Sequence, residues 1–500
     1  MTATLTATPK VMKVMKVMII CGGFLNEKET SVARALRKQL LQWNAAEASW
    51  LDLKVKLALA EPLIAAQWYG KRGAHYTEEV REFFAHKDNL DTPELTEVVL
   101  ATALRDAGLP FARATVDDVF ARGAAFVHAL RDCCCAFVST TLLRDISELE
   151  PIIQRLRRPG LRIVIGGALT GLLAHDWPGL PGIDLAAVGY GEWLVPAIAA
   201  WIRSGFCELT PPALGRMQQR AHTCFVWSGV PKGNNGNKGN KSGSLDDLPS
   251  ADWALAERTH GRAFSMVYYE SVRGCPYRCN FCNYPYLFDD TKFRYKSAEK
   301  IADDWARITQ ETGAEFITCL DSLFTVPRPR LTVLCDLLVQ RNITVKLLCY
   351  ARADDLAQAD VAVMMRDAGA VQVQIGIESG DQGQLDNMDK QCSVASNLDA
   401  LVNCRSAGVT SVVSLIVGFP GETVHTLENT FRFLQEARPD FYFLATFSTR
   451  AYNVPVLNAQ NRQRFQLATQ SNLRTVAPYW AHATMSCAEA AGQVRALMRA

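Results

Sequence analysis

Charge of one sign is nearly absent: 53 Lys and Arg stand against 51 Asp and Glu over 500 residues, a formal net charge of +2. So even a balance gives no basic field to draw in nucleic acid or an anionic membrane surface, and neither is an expected partner. Long apolar runs are missing too. No uninterrupted stretch of about 18 apolar residues occurs, so no membrane span is expected. The amino terminus, MTATLTATPKVMKVMKVMIICGG, is interrupted by Lys10, Lys13 and Lys16 before an apolar run of signal-peptide length develops. It reads as a tail entering a strand, and a soluble, cytoplasmic chain is expected. Paired cysteine motifs are scarce as well. The 15 cysteines are spread over a long chain with no leader, which favours reduced thiols and metal ligation over a disulfide framework. Cys279 and Cys282 form the sole C-x2-C.

What is present is an ordinary globular composition, 49% hydrophobic, long enough for two or three cores. The stretch PKGNNGNKGNKSGS has nothing to bury and reads as a flexible linker over residues 231–244. Before it, the runs VMII, CCCAFVS, LRIVIGG and IDLAAVGYG each end in Gly or Ser and alternate with amphipathic stretches. That rhythm predicts a doubly wound, Rossmann-like α/β domain over 1–230, with a helical part at about 54–122 that fits it less well. After the linker the alternation is regular. Six strand-like runs, MVYYES, EFITCLD, VKLLCYA, VQVQIGIE, SVVSLIVGF and FYFLATF, predict a partial parallel (β/α)6 barrel over 245–449. Between the first two, Ile301, Trp305 and Ile308 share one helical face. Residues 450–500 would form a short cap.

Within SVRGCPYRCNFCNYP, Cys275, Cys279 and Cys282 place three thiols in eight residues just after the first barrel strand, at the end where barrel sites are built. A closed zinc site wants four ligands, commonly from two paired clusters. Three thiolates on a four-iron, four-sulfur cluster leave one iron open for a chelating ligand. A zinc knuckle or buried core thiols are the alternatives. CCC (Cys133 to Cys135) converges poorly on one ion, because adjacent strand residues point to opposite faces.

Across Met266 to Phe447 the sequence resembles the radical S-adenosylmethionine (SAM) superfamily. The resemblance implies a 4Fe-4S cluster on Cys275, Cys279 and Cys282 whose open iron binds SAM, and a reductant, a flavodoxin- or ferredoxin-like protein or a chemical donor, to supply the electron. It also implies SAM contacts. Phe281 would pack near adenine, against the alternative of a hydrophobic plug. Asp321 in CLDSLFT would meet the methionyl end, against a helix cap; the Gly-Gly-Glu common in the superfamily is absent. Glu378 in GIESG would bind ribose hydroxyls or the amino group. Arg352 would pair with a SAM carboxylate or with Glu378, or form an ordinary salt bridge. Gly418 and Pro420 in IVGFPGET would let the backbone approach adenine.

CAFVSTTLL, IVIGGALT and DLAAVGYGEW resemble, in that order, the cobalamin-binding domain joined to one radical SAM branch. The resemblance implies cobalamin bound through Gly166, Gly167, Gly189, Gly191 and Glu192, with hydroxyls from Ser139, Thr140 and Thr141; turns in an empty doubly wound domain are the alternative. The cobalt-ligating pattern Asp-x-His-x-x-Gly is absent, so no lower-face ligand can be named. Trp480 and His482 in PYWAHATM are candidates to touch substrate, although a lone His near a Trp is more often structural. The branch implies a cobalamin-dependent radical SAM methyltransferase acting on an unactivated carbon or a phosphinate phosphorus of a small molecule, as in antibiotic or other natural-product biosynthesis. A cyclase or rearrangement enzyme without methyl transfer, as in the anaerobic magnesium-protoporphyrin cyclase that the chain also resembles, is the alternative. A non-catalytic cluster or corrin sensor is a third reading.

Overall fold

The computed structural model describes residues 15–22, 69–71, 92–143, 145–210, 215–229, 244–288, 291–449, 453–470 and 479–497. The expected linker and the amino-terminal tail lie almost wholly outside them, as does most of the expected helical part up to residue 91.

The first sheet is built from β1 (Lys16–Ile20), β3 (Phe111–Ala114), β4 (Cys133–Ser139), β5 (Arg162–Gly166), β6 (Leu185–Val188), β7 (Met217–Gln219) and β8 (Cys224–Trp227). A short intervening strand, β2 (Tyr69–Lys71), belongs to the second sheet. The order β3-β1-β4-β5-β6-β8-β7 is parallel apart from the β7–β8 edge pair. Alternate residues bury both faces. Met18, Ile20, Val138 and Ile165 enter one core, and Val17, Ile19, Phe137 and Val164 the other, the signature of a parallel sheet covered on both sides. Helix Gly191–Arg203 packs on the second face through Leu194, Val195 and Ile198. Cys133, Cys134 and Cys135 are buried in β4, where burial pushes the Cys133 thiol up to about 11. They pack as small apolar residues rather than as an ion site.

The second sheet contains all six of the strands expected after the linker: β9 (Met266–Tyr269), β12 (Phe316–Cys319), β13 (Lys346–Ala351), β14 (Ala370–Glu378), β15 (Thr410–Val417) and β16 (Phe441–Thr446). They are parallel and lie in chain order. Local chemistry sets the helix ends. Ser297 caps Ala298–Glu311 by accepting from Lys300 N, and Ile301, Trp305 and Ile308 of that helix are buried as expected. Ser393 and Thr423 open Val394–Ala407 and Val424–Ala437 with capping boxes. A hairpin of β10 (Val272–Arg273) and β11 (Arg294–Tyr295) brackets the cysteine loop. The last segment forms a three-stranded antiparallel sheet of β17 (Ala468–Gln470), β18 (Tyr479–His482) and β19 (Met485–Ser486), followed by helix Cys487–Leu497.

Two elements ahead of the linker cross to the second sheet. β2 pairs antiparallel with β16, Lys71 opposite Phe441, and makes a seventh strand. Helix Leu95–Asp106 puts Val98 into the core of the second sheet and Ala101 and Leu104 into that of the first. Nearby, Thr92 Oγ1 donates to Met266 O at 3.0 Å and Asp252 N to Thr102 Oγ1 at 2.9 Å. The sequence rhythm assigned everything before the linker to one unit; these pairings tie part of it to the other. No helix among the described residues is long and apolar enough to cross a membrane.

Candidate functional site

The cysteine loop leaves the carboxyl end of β9 and is pinned at several points. Gly274 has φ +76°, and a Cβ there would lie 2.2 Å from Lys292 O, so glycine is required where the two arms of the loop meet. Arg278 folds back on its own loop, donating to Tyr277 O at 2.8 Å and Thr291 O at 2.6 Å. Asn280 anchors the middle: its N–H donates to Met388 O and its side-chain amide to Asn387 O, each at 2.8 Å. Cys279 is buried, and Cys275 and Cys282 are half-buried. Burial raises all three thiols, Cys282 to about 12, while Lys390 and Arg352 pull Cys275 and Cys279 the other way. Metal binding must therefore displace three protons, and the surrounding cations favour the thiolates that result. Among the described residues no three His, Cys, Asp or Glu side chains converge on a single ion. The donor set, three soft thiols on one locked loop with cations beside them, fits an iron–sulfur cluster.

Around this loop stand the other strand ends. Phe281 meets Phe419 edge to face at 6.4 Å, with Lys390 Nζ 5.6 Å from its ring centre. Glu378 closes β14 in a left-handed conformation, φ +66°, strained for a residue with a Cβ. Its carboxylate turns back to Lys390 Nζ at 3.2 Å, and a Cβ on Gly376 would sit 2.4 Å from its Oε1. Arg352 takes the ordinary salt bridge held open for it, and the expectation for Asp321 changes. Arg352 does not pair with Glu378; it donates to Asp354 at 2.7 Å and Lys390 O at 2.8 Å and lies 3.7 Å over Tyr277, so it braces the rim. Asp321 is 1% exposed. Its oxygens accept from Ser271 N at 2.6 Å, Val272 N at 3.0 Å and Ser271 Oγ, so it fastens the backbone leading into the cysteine loop rather than presenting a free carboxylate.

Gly418, φ +85°, lies where a Cβ would strike the Trp480 ring at 2.6 Å, and Pro420 is buried beside it. Trp480 and His482 do not stand open at the barrel mouth. Trp480 is 2% exposed, donates to Phe447 O at 2.9 Å and stacks on His482, whose Nε2 is 3.3 Å from Gly418 O. Sequence reasoning missed Asn280, Lys390 and Glu422. Glu422 is fully buried and takes the Gly418 N–H on Oε2, while Oε1 has no hydrogen-bond partner among the described residues; burial raises its carboxyl to about 8. Its place in GFPGET, directly after β15, was the available signal. Lys390 gave none, because its role depends on a turn after β14 that brings it back to Glu378.

At the first sheet the strand order reverses between β1 and β4, the position where open α/β sheets leave a crevice at the carboxyl ends of their strands. Ser139 ends β4, and Thr140 and Thr141 follow it at this edge. Thr140 is fully buried and holds Gly166 O and Thr170 Oγ1, each at 2.9 Å, so its hydroxyl is not free for a ligand as expected. Ser139 Oγ lies 3.2 Å from Thr141 Oγ1, which is exposed. Gly167, φ +110°, is exposed beside it, and a Cβ would lie 2.6 Å from Thr141 Oγ1. Gly166 and Gly191 are half-buried at the same edge. Gly189, φ +91°, admits Ser228, whose Oγ accepts from Tyr190 N at 2.8 Å. Glu192 departs from expectation: both of its oxygens are held by Arg273 from across the chain. The exposed Thr141 hydroxyl and the glycine at 167, where no side chain intrudes, leave this edge able to receive a bulky ligand.

A sequence profile described as the radical SAM superfamily matches residues 269–434. Among curated proteins, an anaerobic magnesium-protoporphyrin IX monomethyl ester cyclase of Cereibacter sphaeroides is 30% identical over 172 residues, 34% of this chain and 28% of the relative. A hopanoid C-3 methylase of Methylococcus capsulatus is 26% identical, over 56% of this chain and 52% of its own. The chain thus spans between about a quarter and a half of the length of these relatives. Among solved structures, the radical SAM methyltransferase TsrM of Kitasatospora setae, with tryptophan substrate and a SAM analogue bound, superposes with a TM-score of 0.54 at 16% identity, covering 76% of each chain. The cobalamin-dependent radical SAM enzyme OxsB, with aqua-cobalamin and SAM bound, gives 0.51 at 17% identity over 68% of this chain and 49% of its own. At such identities the likeness is one of fold: a Rossmann-like sheet followed by a partial barrel.

Proposed function

We propose that this chain, which carries a radical SAM domain over residues 269–434, is a cobalamin-dependent radical SAM methyltransferase acting on an unactivated carbon or phosphinate phosphorus of a small molecule. The reading rests on one observation: the locked three-thiol loop at the carboxyl ends of one parallel sheet packs directly against the carboxyl edge of a second, doubly wound sheet. Gly171 lets Leu287 O of this loop approach so closely that a Cβ would lie 2.4 Å from it. Two sites that face each other across such a joint suit a reaction needing two cofactors at once.

When bound, the cluster supplies the electron that cleaves SAM and the corrin supplies the methyl group to be moved. Cys275, Cys279 and Cys282 would hold the cluster. Phe281 would flank the nucleoside, and Glu378, fixed by Lys390, would orient its polar end. Thr141, Gly166 and Gly167 would face the corrin. Asp321, Arg352 and Asn280 hold this frame rigid, which is how positioning lowers a barrier without joining the chemistry.

The test is anaerobic reconstitution with iron, sulfide and hydroxocobalamin, followed by mass spectrometry of products from SAM. Methyl transfer requires both deoxyadenosine and S-adenosylhomocysteine. Cys279→Ala should abolish deoxyadenosine; its persistence would remove these thiols from the mechanism. The 30% identity to the protoporphyrin ester cyclase supports a second reading, ring formation without methyl transfer, for which methyl-labelled SAM would leave no label in the product.

A further inference from the structure

Both ends of the cysteine loop come to the same turn of the opposite sheet. Arg273, two residues before Cys275, lies in β10. Its Nη1 donates to Glu192 Oε2 at 3.1 Å and its Nη2 to Glu192 Oε1, while its Nε donates to Glu270 Oε2 at 2.9 Å. Glu192 sits in the first turn of helix Gly191–Arg203, directly after the β6 turn. At the other end of the loop, Phe288 stacks on Tyr190 of that turn at 5.9 Å, and the Arg273 guanidinium lies 5.2 Å from the Tyr190 ring centre and 5.4 Å from that of Phe288. Arg273 is 9% exposed and Glu192 8%.

A buried ion pair is a poor source of stability, since desolvation offsets most of its attraction. Its distinctive property is direction. A guanidinium that donates two parallel bonds to one carboxylate and a third to another has one orientation, and the aromatic walls leave it no second. The joint therefore fixes an angle and a distance more than it adds cohesion.

We propose that Arg273 is a positioning residue: clamped between Glu192 and Glu270, it sets the separation between the cysteine loop and the crevice edge of the first sheet, and with it the alignment of whatever the two edges bind. This rests on the reading that the first edge binds cobalamin and the second a cluster with SAM.

The experiment uses the full chain with Glu192→Gln, which keeps shape and removes one charge, and Arg273→Lys, which keeps charge and removes the fork. Hydrogen–deuterium exchange on the unreconstituted protein should quicken in residues 188–193 and 274–288 for both variants and stay as in the parent elsewhere. After reconstitution with iron, sulfide and hydroxocobalamin, iron content should match the parent while the ratio of S-adenosylhomocysteine to deoxyadenosine falls about tenfold, the effect of ~1.4 kcal/mol in one barrier relative to the other. Unchanged exchange in 274–288, or an equal fall of both products at constant ratio, would overturn the proposal. Should the parent itself form deoxyadenosine but no S-adenosylhomocysteine, the methyltransferase reading fails, and the exchange data still decide whether the clamp holds the loop.

Discussion

At Glu378 and Glu422 two buried carboxyl groups take opposite solutions. Glu378 is paired with Lys390, which is itself buried. Replacing Lys390 by Met would leave the carboxylate buried without its counter-charge, and a loss of about 3 kcal/mol is expected in denaturant unfolding. Glu422 has no cation beside it, and its folded-state value of about 8 lies above the 4.5 of an ordinary glutamate. Such a group supports the fold fully below about pH 4.5 and progressively less as the pH rises towards 8. Glu422→Gln should remove that slope, so thermal unfolding of parent and variant will diverge between pH 5 and 8, on the order of 3 kcal/mol at most. The sequence pointed to the cysteines, because three thiols in one loop have few uses. It could not tell the role of Asp321, an acid at a strand end, because the groups it holds, Ser271 N and Val272 N, are fifty residues away and reach it only once β9 and β12 pair.

Strands and helices were legible wherever the run was long. Each of the six runs expected after the linker became a strand, since buried parallel strands read as continuous apolar segments. β3 and β8, four residues each, escaped notice; FARA carries an arginine, and CFVW stands isolated between polar stretches. The same shortness hid β18, so Trp480 and His482 looked like mouth residues when they pack beneath the end of β15. The turn after β5 is the most demanding element at the first edge. Gly167→Ala would force a Cβ into a left-handed conformation and against Thr141. A loss of about 2 kcal/mol is expected. Weakened hydroxocobalamin binding in a visible-absorbance titration, with iron loading unchanged, would locate the corrin at this edge.

At the scale of the whole molecule, described elements from before residue 230 and after residue 243 share one core. Helix Leu95–Asp106 puts Val98 into the same core as Trp253 and Val267, and Glu97 meets His260 at 2.8 Å. Expressed alone, residues 244–500 would lack this cover and the β2 strand, leaving apolar surface and an open sheet edge. Precipitation is expected, relieved when residues 1–243 are co-expressed; a soluble, monomeric fragment in size-exclusion chromatography would contradict the arrangement.

The β2–β16 pairing also bears on how the chain comes off the ribosome. Lys71 must wait for Phe441, 370 residues later, before its ladder can form. At roughly 5–20 residues per second that is a delay of about 20 to 70 s. The nascent polypeptide thus carries an uncommitted β segment through most of its own synthesis, and the last-made strand of the second sheet receives one of the earliest-made neighbours.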